Sequence, residues 1–164
     1  MRVLITGVGG FVGSRLARHL LARGDRVSGT YIDAVPVMDG EIMEGVELHE
    51  ADILDRAALE RAVRAAAPDA IVNLAGLSHI GESWDWRRMP DYFQVNVAGT
   101  ETVLAAAAAG GNPRVVIASS GDVYGKVPED EQPISESRPV APQTPYALTK
   151  AAAERIAGAQ GAVI

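Results

Sequence analysis

The apolar run Val3-Leu4-Ile5 leads directly into Thr6-Gly7-Val8-Gly9-Gly10-Phe11-Val12-Gly13. This reads as a strand that turns through glycines into a helix, an order open to few folds. Gly7 suits a tight turn, Gly10 lets the backbone approach a bound group with no Cβ in the way, and Gly13 lets the helix pack close to the strand. The unpaired N–H groups and the dipole at the helix start favour an anion. The turn is therefore either a phosphate cradle or a purely structural reversal, and the glycines alone do not separate the two.

Tyr146 and Lys150 stand four residues apart in Tyr146-Ala147-Leu148-Thr149-Lys150, which puts them on one face of a helix. A nearby ammonium lowers the pKa of a phenol from its usual value of ~10 and so fits it for acid–base work near neutral pH. Ser119-Ser120 upstream offers a hydroxyl to a reacting carbonyl oxygen. Tyr-x-x-x-Lys taken alone is an ordinary exposed helix face. Joined to the glycine turn and the serines, it favours chemistry over decoration.

With 164 residues, 48% of them hydrophobic, the chain is long enough for one domain with a sizeable core and has no uninterrupted apolar run of membrane-spanning length. A net charge of -6 with no Lys/Arg stripe argues against nonspecific nucleic-acid binding. Cysteine is absent, which removes disulfides, thiolate nucleophiles and thiolate metal sites. His19, His49 and His79 lack ligand spacing and read as surface or site-lining residues, so no metal is expected. The chain begins inside its first strand without a signal-peptide pattern, and the expected location is cytoplasmic.

Short β-branched runs alternate with helical patterns, predicting a doubly wound α/β fold with a parallel sheet covered on both faces. Strands are expected near 2–6, 26–31, 46–51, 70–74, 114–119 and, barely begun, 161–164, with helices near 11–23, 55–66, 97–109 and 144–158. Gly24 suits the end of the first helix, and Pro68 and Pro113 each precede a strand. From Gly121 to Pro145 the chain carries Pro128, Pro133, Pro139, Pro142 and Pro145, which predicts a long ordered loop.

These motifs, together with Asp52-Ile53, Asn73-Leu74-Ala75-Gly76 and Asn96-Val97-Ala98-Gly99-Thr100, follow one another in the order found in extended short-chain dehydrogenase/reductases, and the chain resembles that family of nucleotide-sugar epimerases, dehydratases and reductases over its whole length. The resemblance implies a Rossmann domain over residues 1–164 that binds NAD(P)(H) and stops at the start of a sixth strand, before the family's substrate-binding part. It implies catalytic roles for three residues: Tyr146 as proton donor, Lys150 on the nicotinamide ribose, and Ser120 orienting the carbonyl, with Ser119 as the fallback. The implied cofactor residues are Gly7, Gly10, Phe11, Val12, Gly13, Tyr31, Asp33, Asp52, Ile53, Leu74, Ala75, Gly76, Tyr146 and Lys150. Asn96 is expected to tie the active-site helix to neighbouring structure. His79, Ser83, Ser119 and Asp122 are the candidate substrate contacts, Asp122 being equally suited to capping a turn.

Gly81-Glu82-Ser83-Trp84 and Ser119-Ser120-Gly121-Asp122-Val123-Tyr124-Gly125 look most like GDP-4-keto-6-deoxy-D-mannose reductases, which form GDP-D-rhamnose. The alternatives are a 4,6-dehydratase or 4-epimerase of the same family, or a dinucleotide-binding module without turnover. Dehydratases commonly place an acidic residue directly after the Ser/Thr, where this chain has Gly121. Tyr31 occupies the place where NAD-preferring members carry an acid, Asp33 follows two residues later, and no arginine lies between Thr30 and Gly40, which leans towards NAD and leaves NADP open. A homodimer through helices 97–109 and 144–158 is the family's usual arrangement.

Overall fold

Four of the five residues of β1 (Arg2–Thr6) are buried, as expected for an apolar strand covered on both faces of a parallel sheet. The computed structural model describes residues 1–38, 41–79 and 81–164, with the side chains at 37, 38, 41, 42 and 83 outside that description. β1 is the centre of a five-stranded sheet of order β5-β2-β1-β6-β7, with β2 at Arg26–Tyr31, β5 at Val46–Glu50, β6 at Ala70–Asn73 and β7 at Arg114–Ile117. All four pairings are parallel.

Alternation along β1 divides the core between the two faces. Leu4 points to a cluster built with Leu59 and Val63 of α2 (Arg56–Ala66), Val103 and Leu104 of α4 (Gly99–Ala109) and Ala157 of α5 (Pro145–Ala159). Val3 and Ile5 point the other way, to Ala17 and Leu20 of α1 (Phe11–Ala22). Connections from β1 lead outward to β2 and β5, and the later strands β6 and β7 add on the opposite side. The order reverses between β1 and β6, and in such sheets ligands bind at the carboxyl ends of the strands beside that reversal.

The helix ends follow their sequences. Asp55 accepts from the Ala58 N–H at 3.0 Å to start α2, Thr144 accepts from the Ala147 N–H at 3.1 Å to start α5 with Pro145 as its first residue, and Gly24 at φ +82° stops the chain from continuing α1.

Three features differ from the sequence expectation. The strand expected over 161–164 is a single parallel bridge between Val163 and Val116, reached after a turn at Gly161. The helix expected from 97 starts earlier, as α3 (Met89–Tyr92), and runs through a π-helical turn, Phe93–Ala98, into α4. Pro90 in the first turn of α3 fits that earlier start. The widened turn brings adjacent Asn96 and Val97 both inward, where each is buried. Third, Val37–Met38 (β3) and Glu41–Ile42 (β4) pair antiparallel, and strands of two residues are too short to show a period. Across the proline-rich loop, the Ala141 N–H donates to the Val123 carbonyl at 2.9 Å.

Candidate active site

Gly7 adopts φ +66°, and a Cβ there would come within 3.0 Å of the Ala75 backbone. A Cβ on Gly13 would lie 2.5 Å from the Gly7 carbonyl oxygen. The turn from β1 to α1 is therefore built on glycines both for its dihedral and for its packing. Gly10, at the start of α1, provides no side-chain cap, and the first turn of α1 carries no acidic residue. Its N–H groups are thus left for an anion.

Beside this turn lies a groove of about 330 Å³ lined by Gly7, Gly10, Tyr31, Asp52, Ile53, Leu74, Ala75 and Gly76 among the expected residues, and also by Thr30, Ile32, Ala51, Leu54, Leu77 and Val95. Glycine turn, apolar side walls and uncapped helix start together fit a dinucleotide. Gly13 is buried beneath the turn, Phe11 and Val12 are exposed at the start of α1, and Asp33 lines an adjoining polar pocket together with Glu50, Asp52, Asp55 and Arg61.

A buried chain of hydrogen bonds runs from this turn to the tyrosine helix. Thr6 Oγ1 donates to Asn73 Oδ1 at 2.6 Å and accepts from the N–H groups of Leu74 and Ala75 at 3.2 Å. Asn73 Nδ2 donates to Thr100 Oγ1 at 3.3 Å, which donates to the Asn96 carbonyl at 2.7 Å. Asn96 Nδ2 donates to Thr149 Oγ1 at 3.1 Å, and Thr149 donates to the Tyr146 carbonyl at 2.9 Å. Asn96 also brackets Leu77, accepting from its N–H at 2.8 Å and donating to its carbonyl at 3.1 Å. Asn96 thus ties α5 to the segment after β6. In a low-dielectric interior a satisfied polar chain of this kind fixes geometry.

Tyr146 is buried. Lys150, one turn later, donates from Nζ to the Ala118 carbonyl at 2.7 Å. Burial pulls the Lys150 ammonium below its ordinary pKa, and the Glu154 carboxylate opposes that shift. Ser119 Oγ donates to Glu154 Oε1. Ser120 Oγ accepts from the Asp122 N–H at 3.2 Å, so the oxygen is engaged while its hydroxyl hydrogen has no acceptor among the described residues. Asp122 lines a second cavity of about 320 Å³ with Trp84, Gly125, Lys126, Gln143, Thr144 and Ala147. His79 is exposed, and its backbone carbonyl accepts from the Tyr92 hydroxyl at 2.7 Å. The side chain of Ser83 lies outside the described residues.

Sequence reasoning missed Tyr92, Thr149 and Glu154. For Glu154 a signal existed: it follows Lys150 by four residues, as Lys150 follows Tyr146. Nothing comparable marked Tyr92, whose burial depends on the early start of the helix. Among the described residues no group of three or more His, Cys, Asp or Glu side chains is arranged to hold a metal, and no helix is long and apolar enough to cross a membrane.

Residues 4–160 match the GDP-mannose 4,6 dehydratase family. UDP-glucose 4-epimerase 4 of Oryza sativa subsp. japonica is 37% identical over 163 residues, covering 94% of this chain and 43% of the relative. The dTDP-glucose 4,6-dehydratase of Streptomyces niveus is 32% identical, covering 96% of this chain and 48% of its own. The UDP-glucose 4-epimerase of Thermus thermophilus, solved in complex with NAD, superposes with a TM-score of 0.87 at 34% identity, over 98% of this chain and 51% of that one. The chain thus spans about half the length of the relatives it matches. By its family match, its parallel sheet and its glycine turn, the chain belongs to the nucleotide-sugar epimerase/dehydratase family of extended short-chain dehydrogenase/reductases.

Proposed function

We propose that this chain carries the cofactor-binding and acid–base part of an NAD(P)(H)-dependent enzyme acting at C4 of a nucleotide-linked sugar. The net reaction is reduction of a 4-keto-6-deoxy sugar, GDP-4-keto-6-deoxy-D-mannose to GDP-D-rhamnose. The observation that carries chemistry at a C4 carbonyl, common to reduction and epimerisation, is Ser120, whose oxygen accepts from the Asp122 N–H and whose hydroxyl can donate to a substrate carbonyl. Tyr146 and Lys150 lie on successive turns of α5, and Lys150 is held against the carbonyl of Ala118, two residues before that serine.

A nicotinamide held in the groove beside the glycine turn would supply the hydride. Tyr146 gives its proton to the oxygen that becomes the new hydroxyl, Ser120 orients that oxygen, and Lys150 holds the nicotinamide ribose. Simple reduction is favoured over dehydration because Gly121, directly after Ser120, has no side chain with which to move a proton. Asp122 and His79 serve as contacts for sugar or nucleotide. The acidic wall of Asp33, Glu50, Asp52 and Asp55, offset by Arg61, disfavours an added 2′-phosphate and supports NAD(H) over NADP(H).

A second reading, 4-epimerisation of a UDP-hexose, is favoured by the 37% identical epimerase. It would use the same Tyr146 and Ser120, Tyr146 first taking the C4 hydroxyl proton and then giving it back, while the C4 hydride would pass to the cofactor and return to the other face of the ring. Further parts of the proposal are a homodimer packed through helices 97–109 and 144–158, to be checked by sedimentation, and a cytoplasmic location. The discriminating assay offers the protein GDP-4-keto-6-deoxy-D-mannose with NADH or NADPH and, separately, UDP-glucose. Consumption of NADH with the keto sugar supports reduction. Conversion of UDP-glucose to its C4 epimer, without keto-sugar reduction, overturns it in favour of the second reading.

A further inference from the structure

We propose that Glu154 is a positioning residue whose carboxylate holds the Ser119 hydroxyl and thereby sets the 118–120 segment on which Lys150 and Ser120 both depend. Two successive turns of α5 grip consecutive residues at the end of β7. Lys150 Nζ donates to the Ala118 carbonyl at 2.7 Å, and Glu154 Oε1 accepts from Ser119 Oγ. A half-buried carboxylate needs such a donor, and a hydroxyl donating to a charged oxygen makes one of the stronger hydrogen bonds available.

The contact has two consequences. It commits the hydroxyl hydrogen of Ser119 to the protein, which removes Ser119 as a donor to substrate and leaves that task to Ser120. It also places a negative charge one helical turn beyond Lys150, where it opposes the effect of burial on the ammonium. The Ala118 N–H is itself bonded to the Asn73 carbonyl at 3.3 Å, so the gripped segment connects to the chain of polar groups that begins at Thr6. The hold on Ser119 stands on geometry alone, while its catalytic consequence rests on the roles proposed above for Ser120, Tyr146 and Lys150.

The test measures amide hydrogen exchange at Ala118 in the ligand-free chain and turnover in the enzyme. Loss of one hydrogen bond raises exchange at Ala118 by about fivefold in Glu154→Ala and in Ser119→Ala, with Leu4 and Ile5 unchanged as a control for global folding. The double variant is no worse than either single one, and Glu154→Gln, which keeps an acceptor, restores most of the protection. Unchanged Ala118 exchange in Ser119→Ala, or additive effects in the double variant, overturns the hold; should Glu154→Ala fail to fold, Ser119→Ala and Glu154→Gln decide alone. In turnover, Glu154→Ala lowers kcat by about 10- to 100-fold with KM little changed, and Glu154→Gln recovers most of it. Normal kcat in a Glu154→Ala variant with raised exchange overturns the catalytic consequence. Absence of turnover in the wild type with every nucleotide sugar sinks the proposed reaction instead, and the exchange result still decides whether Glu154 holds Ser119.

Discussion

The ring of Tyr92 stands edge-on to the ring of Tyr146, with centroids 6.5 Å apart and an interplanar angle of 73°. Tyr92 is almost wholly buried, and its hydroxyl donates to the His79 carbonyl at 2.7 Å. One side chain therefore packs against the proposed acid and pins the loop that follows β6. Tyr92→Phe keeps the ring and gives up the hydrogen bond, and should cost about 1 kcal/mol. Tyr92→Ala removes the ring from a packed site and should cost about 3–5 kcal/mol. Urea denaturation measures both, and equal losses would mean that the ring contact contributes nothing.

Gly13→Ala would set a Cβ 2.5 Å from the Gly7 carbonyl oxygen and 2.9 Å from Val8 Cα, both backbone atoms with little room to give. Destabilisation of about 1–3 kcal/mol is expected, with loss of NADH affinity because the turn itself must shift. Gly158→Ala, in exposed α5 surface where the nearest atom beyond its own helical turn is Ile164 Cδ1 at 3.8 Å, should instead stabilise by about 0.5–1 kcal/mol through helix propensity. Calorimetric titration with NADH, paired with thermal melts, separates the two cases.

Asn96→Ala would strand both backbone groups of Leu77 and remove the donor to Thr149. The site is buried, so a loss of at least about 2 kcal/mol is expected. Asn96→Asp should be nearly as damaging, because a carboxylate cannot donate to Thr149 or to the Leu77 carbonyl. Chemical denaturation of the two variants tests this, and a neutral Asn96→Asp would show that the donated bonds are dispensable.

Hydrogen bonds from the side chain and backbone N–H of Arg2, at 2.7 and 2.8 Å, hold the Asp69 carboxyl below its ordinary pKa. A carboxyl depressed in the folded state stabilises the fold above its unfolded pKa, near ~3.9, and that contribution disappears as pH falls through the folded value. Stability should therefore drop more steeply below pH ~4 in the wild type than in Asp69→Asn. Urea midpoints measured across that acid range check the sign; parallel profiles would contradict it.

Much of this was legible in the sequence because it rests on local rules. The strands at 2–6 and 26–31 agree with β1 and β2, since β-branched runs bounded by turn residues carry their own signal. Spacing placed the glycine turn between a strand and a helix and put Tyr146 and Lys150 on one helix face, while their functional roles came only with the resemblance to the family. Long-range packing decided the remainder. The π-helical turn before α4 presents Asn96 to partners in Leu77 and Thr149, each distant in sequence, and the Ser119–Glu154 contact joins residues 35 apart. No window of neighbouring residues encodes such pairings.

The most direct measurement pairs turnover with cofactor affinity in Tyr146→Phe. Removing one phenolic oxygen leaves the ring, its packing on Tyr92 and the glycine turn in place. Reduction of the 4-keto sugar nucleotide should fall by about 10²- to 10⁴-fold, with NADH binding by calorimetry unchanged. Retention of turnover in Tyr146→Phe, with NADH bound as tightly as before, would contradict the role of Tyr146 as proton donor and with it the proposed chemistry.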